Sequence, residues 1–163
     1  PEPYSEAAAA AALQAARLPG PDRTGGLVTD WERVEIGAAG LIVEVPAGWQ
    51  RQGQGYRWSE PNGQALRLGI DWHAPVPGRE HTPVVPTEAV VIGSAPLELI
   101  WGDATIYTVK VTPLDGAPEA MEEHIIVLTG DRVYDFHASA PDPEAMNGLR
   151  EALLHVLRYA HFR

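Results

Sequence analysis

The closing forty residues constrain this chain more than any other stretch. Two apolar runs, 121–129 and 132–139, flank Gly130-Asp131, a pair suited to a hairpin turn. Ser139-Ala140-Pro141 breaks the second run. Asp142 is then a good helix N-cap, and Pro143 fits the first helical position. Met146, Leu149, Leu153, Val156, Leu157 and Ala160 follow at helical spacing, which predicts one amphipathic helix with a wide apolar stripe. A sheet that ends in this hairpin must be closed by this helix lying back over it.

Upstream the chain reads as short strands. Runs at 31–36 and 41–45 surround Gly37-Ala38-Ala39-Gly40, and Pro46-Ala47-Gly48 breaks the chain before Trp49. Runs at 56–59 and 66–73 surround Pro61-Asn62-Gly63, a strong turn signal. In the second, Leu66, Leu68, Ile70 and Trp72 share one face and Arg67, Asp71 and His73 the other, the period of a strand with core on one side. Runs at 97–101 and 104–112 predict a further hairpin around Gly102-Asp103. Between them and His73, Pro75, Pro77, Pro83, Pro86 and Pro96 make residues 74–96 loop or sheet edge, because proline cannot donate to a ladder. A loop of that length is either a lid or binding loop or mere filler. Residues 1–28 are rich in alanine, proline and glycine and offer few large apolar anchors. They read as a tether or a loose N-terminal helix before a single domain at 29–163. The expected class is α+β: an antiparallel sheet of about six to seven strands with the C-terminal helix packed on it.

Charge and composition remove several functions. Twelve basic residues against 22 acidic ones leave a formal charge of -10, which repels phosphate backbones and anionic membranes; nucleic acid is not an expected partner. The chain has no cysteine, so disulfides, thiolate nucleophiles and cysteine-bound zinc are excluded. No apolar run is long enough to span a bilayer.

The run 40–49, in which Pro46-Ala47-Gly48-Trp49 ends a strand, resembles the Pro-x-Gly-Trp motif of the PsbP-like family. The closing unit is similar too: strand, Gly130-Asp131, strand, Ser139-Ala140-Pro141, then a helix ending near Phe162. The resemblance spans about residues 31–162. It implies an α/β/α sandwich built on the antiparallel sheet. It also implies kinship of fold with an extrinsic photosystem II subunit, a Ran-binding nuclear import factor and exported bacterial lipoproteins. The lipoprotein branch fits the N-terminal tether best. It implies an extracytoplasmic protein, lipid-anchored to the cell envelope through a cysteine upstream of Pro1. The chain departs from the family pattern at 74–96, where many members carry a helix.

Candidate chemistry gathers on the last hairpin. A turn at Gly130-Asp131 sets His124 opposite His137, and alternation puts Glu122, His124, Asp135 and His137 on one face with Ile125, Val127, Tyr134 and Phe136 on the other. Two opposed imidazoles can close on one divalent metal ion, with Asp135 or Glu122 as an oxygen ligand or ring-orienting partner. His73 belongs to a similar Asp-aromatic-His string, Asp71-Trp72-His73. The plainer reading is a solvated polar face. No nucleophile accompanies the histidines, no Gly-rich phosphate loop precedes a helix, and Glu122 and Glu123 point to opposite faces. The leading expectation is therefore a non-enzymatic accessory or interaction domain of unknown protein partner, needing no cofactor. Its contacts would come from the 74–96 loop and neighbouring aromatics: His73, Arg79, His81 and Trp101. The alternative is a small-ligand or metal-binding protein centred on His124, His137 and Asp135, and a hydrolase ranks third.

Overall fold

The computed structural model describes residues 23–78, 80–99 and 102–163. Ten strands and one α-helix are found among them: β1 (Trp31–Ile36), β2 (Leu41–Pro46), β3 (Gln50–Arg51), β4 (Tyr56–Ser59), β5 (Arg67–His73), β6 (Ala89–Leu99), β7 (Gly102–Val111), β8 (Ala120–Leu128), β9 (Val133–Ala140), α1 (Pro143–Arg158) and β10 (His161–Phe162). They form two antiparallel sheets. The large one has seven strands in the order β3-β4-β5-β9-β8-β7-β6, and the small one runs β1-β2-β10. The expected sheet and closing helix are present, and the small sheet is an addition that strand patterning did not separate from the large one.

The helix forms where its caps and stripe predict. The Asp142 side chain accepts from the Ala145 amide, with Pro143 at the first position. Met146, Leu149, Ala152, Leu153, Val156 and Leu157 are buried against the sheet. The facing strand residues are Leu68, Ile70, Ile125, Val127, Tyr134, Phe136 and Ala138. Phe162 in β10 lies 5.0 Å, ring to ring, from Tyr134, whose hydroxyl donates to the Ala39 carbonyl at 2.5 Å. These contacts tie the small sheet to the centre of the large one.

Two buried charges cross this core. Glu123 faces α1 and accepts from Arg150 Nε at 2.8 Å, and Glu44 of β2 accepts from His155 Nε2 at 3.2 Å. His155 also stacks on Trp31, with ring centroids 3.5 Å apart. Burial of a carboxylate costs several kcal/mol unless it is paired, so each needs its helical partner.

One expectation, loop or sheet edge at 74–96, is resolved into both, and two others are revised. The proline-rich segment ends at residue 88, and β6 begins at Ala89 with Pro96 inside it, opposite Thr105. That is possible because β6 is the sheet's edge and, among the described residues, its outer side has no ladder partner. Next, the β6–β7 hairpin reverses between Leu99 and Gly102 rather than at Gly102-Asp103. This register sets large Leu97 and Leu99, both packed on the core, against small Ala104 and Gly102. Finally, Val28 and Thr24 are buried and Leu27 packs on the core, so the last residues of the expected tether are docked. The alanine-rich part of that tether lies outside the described residues.

Candidate functional site

Strand pairing assembles the site from the face opposite α1. Leu128 opposes Val133, leaving a four-residue loop closed by the Thr129 amide donating to the Arg132 carbonyl. This register sets His124 opposite His137 and brings Asp135 and Glu122 to the same face. On the other side of β9, Gly69 opposes His137 and Asp71 opposes Asp135. On β4, Arg57 stands opposite Gly69. Four strands thus deliver one row of charged groups, in the arrangement that alternation predicts.

The row is closely bonded. His124 is only 5 % exposed. Its Nδ1 donates to Asp135 at 2.9 Å and its Nε2 to Glu122 at 3.2 Å. A carboxylate offers no hydrogen to donate, so both ring nitrogens must carry protons, and the ring is an imidazolium. Burial on its own would lower the His124 pKa, but the two carboxylates outweigh it and raise the value to about 9. The same contact with His124 holds Glu122 below the usual carboxylate range. The His137 ring stacks on His124 with centroids 5.4 Å apart, and its Nε2 donates to Asp71 at 2.9 Å. Asp71 also accepts from Arg57 at 3.1 Å, and the hydrogen bond from His137 is the main reason its pKa is lowered.

Gly69 makes the ring's position possible. A Cβ there would collide with the His137 ring, at 2.7 Å from Nε2 and closer still to Cε1, so the imidazole lies over the bare backbone of β5. The chain of contacts runs Arg57, Asp71, His137, His124, then Asp135 and Glu122. It can hold charge and protons in fixed positions. It leaves His124 no lone pair for an ion, and a metal there would have to displace a proton and a carboxylate together. No group of three or more histidine, aspartate or glutamate side chains is arranged to hold a metal among the described residues.

The remaining candidates are more scattered. His73 ends β5, exposed, with Nδ1 donating to the Ala74 carbonyl at 2.8 Å. The His81 ring, from the 74–88 loop, lies 6.2 Å from it. Arg79 and Trp101 lie outside the described residues. Pro83 of the loop is buried, and Glu80 is near enough to Tyr107 on β7 to reinforce the upward pKa shift that burial gives that phenol. Sequence reasoning missed Arg57, Asp71 and Gly69 as members of the charged row. The signal was present in the alternation of β5, but the pairing of β5 with β9 has no local signature.

Sequence reasoning allowed a sheet edge within 74–96 but did not join it to the run at 97–101 as one long strand. β6 is eleven residues long and, among the described residues, is paired on one side only; Val90, Val91 and Ile92 are 63 %, 44 % and 57 % exposed. Ile92 is the extra residue of a bulge between Val91 and Gly93.

Comparison with known proteins adds the fold. No family model matches the chain, and no curated protein sequence matches it. Among solved structures, the chain is similar to the Ran-binding protein Mog1p of Saccharomyces cerevisiae, with a TM-score of 0.59 and 10 % identity over 82 % of this chain and 95 % of Mog1p. It is similar also to the cyanobacterial PsbP of Synechocystis, with a TM-score of 0.51 and 11 % identity over 85 % of this chain and 96 % of that one. The chain therefore has the PsbP-like fold that its strand-end motif and closing hairpin–helix unit suggested. Identities this low speak for fold alone.

Proposed function

We propose that this chain is a non-catalytic interaction domain that docks a protein partner along the open edge of its large sheet. The observation that carries the reading is β6, a long edge strand with three consecutive exposed apolar residues. Such an edge offers unpaired backbone donors and acceptors to an added strand, and side-chain pockets on either side give specificity. Glu98 and Asp103, exposed and opposite one another at one end of the hairpin, favour an extended partner segment carrying lysine or arginine. The net charge of -10 favours the same partner. Mog1p, of similar fold, is a Ran-binding protein, which is in keeping with a binding role.

An exported domain held at the cell envelope, by a lipid anchor upstream, agrees with the alanine-, proline- and glycine-rich N-terminal stretch. No helix among the described residues is long and apolar enough to cross a membrane. One experiment tests both the edge and the envelope. Envelope and cytoplasmic fractions of the source organism are passed over immobilised wild-type protein and over a Val91→Asn/Ile92→Asn variant with an unchanged melting curve. A protein retained from the envelope fraction by the wild type alone, and released by raised salt, is the expected result. Equal retention by both would remove β6 from the reading, and recovery only from the cytoplasmic fraction would remove the envelope.

A further inference from the structure

The His73 and His81 rings approach each other outside the charged row, and the His73 ring nitrogens are engaged differently from those of His124. We propose that these two histidines form a site for a first-row transition-metal ion, Zn(II) or Cu(II), with the other coordination positions open to water or to a partner's side chain. The site is independent of the docking edge and uses different atoms.

Four observations support it. The His73 Nδ1 donates to the Ala74 carbonyl at 2.8 Å, so its proton is held there and Nε2 keeps a lone pair. Fixing one ring nitrogen on a carbonyl is the usual arrangement behind a metal-bound histidine. The centroid separation is 6.2 Å and the rings are tilted by 52°. A nitrogen–metal bond of about 2.0–2.1 Å puts an ion about 3.2 Å from a ring centroid, so two rings share one ion at about 5.2 Å for a tetrahedral angle and about 6.4 Å for a linear one; side-chain rotation must bring these two rings about 1 Å closer to hold zinc. Both rings are also reachable: His73 is exposed and His81 half-buried, so an ion can enter without unfolding the sheet. Finally, the framework is restrained. His73 is held in the β5–β9 ladder opposite Val133, and the loop that carries His81 is anchored two residues later by the buried Pro83.

His124 and His137 differ on the decisive point. Those rings are closer, at 5.4 Å, but His124 uses both nitrogens as donors to carboxylates and His137 uses Nε2. Availability of lone pairs, more than distance, separates the two pairs. Nitrogen ligands favour copper over zinc in this series, so Cu(II) should bind more tightly than Zn(II).

The test is calorimetric titration of the full chain, without a polyhistidine tag, with zinc chloride and then copper chloride near neutral pH. His73→Ala, His81→Ala and His137→Ala proteins are measured beside the wild type, each checked by its melting curve. The expected result is saturable binding of one ion per chain, weakened at least tenfold by either His73→Ala or His81→Ala and unchanged by His137→Ala. Copper should also broaden the NMR signals of His73 and His81 first. Absence of saturable binding would overturn the proposal. So would binding that survives both alanine variants, or that disappears with His137→Ala.

Discussion

Ile125 and Phe136 oppose each other on the helix side of the large sheet and are fully buried. One residue back along each strand, His124 and Asp135 turn to the far side and meet as a charged pair. The same two strands therefore carry two kinds of stabilisation. The helix side relies on apolar area, which acts over the whole titration range and tolerates swaps of similar volume. The far side relies on four acceptor–donor contacts in a row, and these depend on protonation. Even the apolar side contains two ionic elements, the Glu123–Arg150 pair and the Glu44–His155 contact, each with a buried carboxylate. The far side also holds apolar Val109 and Ile126, both buried. The difference between the faces is thus one of balance, and it can be measured.

The largest effect should come from the helix side. Leu153 has 1 % exposure at mid-stripe, and Leu153→Ala should cost about 2–5 kcal/mol, the range for buried leucines. Urea melts at pH 6 and pH 8.5 should give the same loss. A loss below about 0.5 kcal/mol, or one that varies with pH, would break the contrast between the faces. Next comes the Glu123–Arg150 pair within that side. Arg150→Ala leaves Glu123, with 1 % exposure, buried without its guanidinium. Breaking a buried pair from one side costs about 3–5 kcal/mol. Arg150 is itself 38 % exposed, so water can partly replace it, and about 2–4 kcal/mol is expected. Glu123→Gln in the same background should recover part of the loss. No recovery would mean that the arginine acts by packing its stem, not by neutralising the carboxylate.

The far side should respond to pH with a defined sign. The His124 pKa is raised from 6.5 to about 9 by Asp135 and Glu122 against the pull of burial. A base held at a raised value stabilises the fold fully below its unfolded pKa, and that contribution is lost as pH rises through the folded one. Stability should therefore fall between about pH 6.5 and 9, by on the order of 3 kcal/mol. Asp71 and Glu122 are shifted down, so their contributions are present above the ordinary carboxylate range and disappear on strong acidification. The wild-type melting midpoint should drop between pH 6.5 and 9, and His124→Gln should flatten that slope. An unchanged slope in the variant would show that His124 is not the group that titrates.

The helix side was legible in the sequence because its signals are local. Asp142-Pro143 and the Met146-to-Leu157 spacing each lie within one element, and the Gly130-Asp131 turn determines a register that reaches His124 and His137 directly. The hairpin half of the charged row was therefore visible. Asp71 and Arg57 were not, because β5 lies beside β9 only through a pairing of residues about seventy positions apart. Gly69 gave no sign of its role, since a glycine in a strand can mark a bulge, a bend or a close approach. The open edge was half legible: prolines at 75–96 leave only loop or sheet edge, and only the sheet order decides that β6 is the edge.

Gly69 offers the finest test of the far side. Its absent side chain is the space that the His137 ring occupies, and a methyl at that position would overlap the ring's Cε1 and Nε2. Gly69→Ala favours β5 slightly through backbone propensity, so a purely local view expects no harm or a small gain. The packing view expects the opposite. The methyl must push the ring away from β5, lengthen its bond to Asp71 and disturb its stacking on His124. Forced overpacking of this kind costs about 1–3 kcal/mol, and the partial exposure of His137 should keep the loss near the lower end. Two readings taken together decide it. Urea melts give the stability, and proton–carbon spectra of the histidine rings report whether His137 has moved while His73 and His81 have not. A loss of about 1 kcal/mol with a shifted His137 signal fits the bare-backbone seat. A gain in stability with an unmoved signal would mean that the ring does not rest on Gly69, and that the row is held from the β8 side alone.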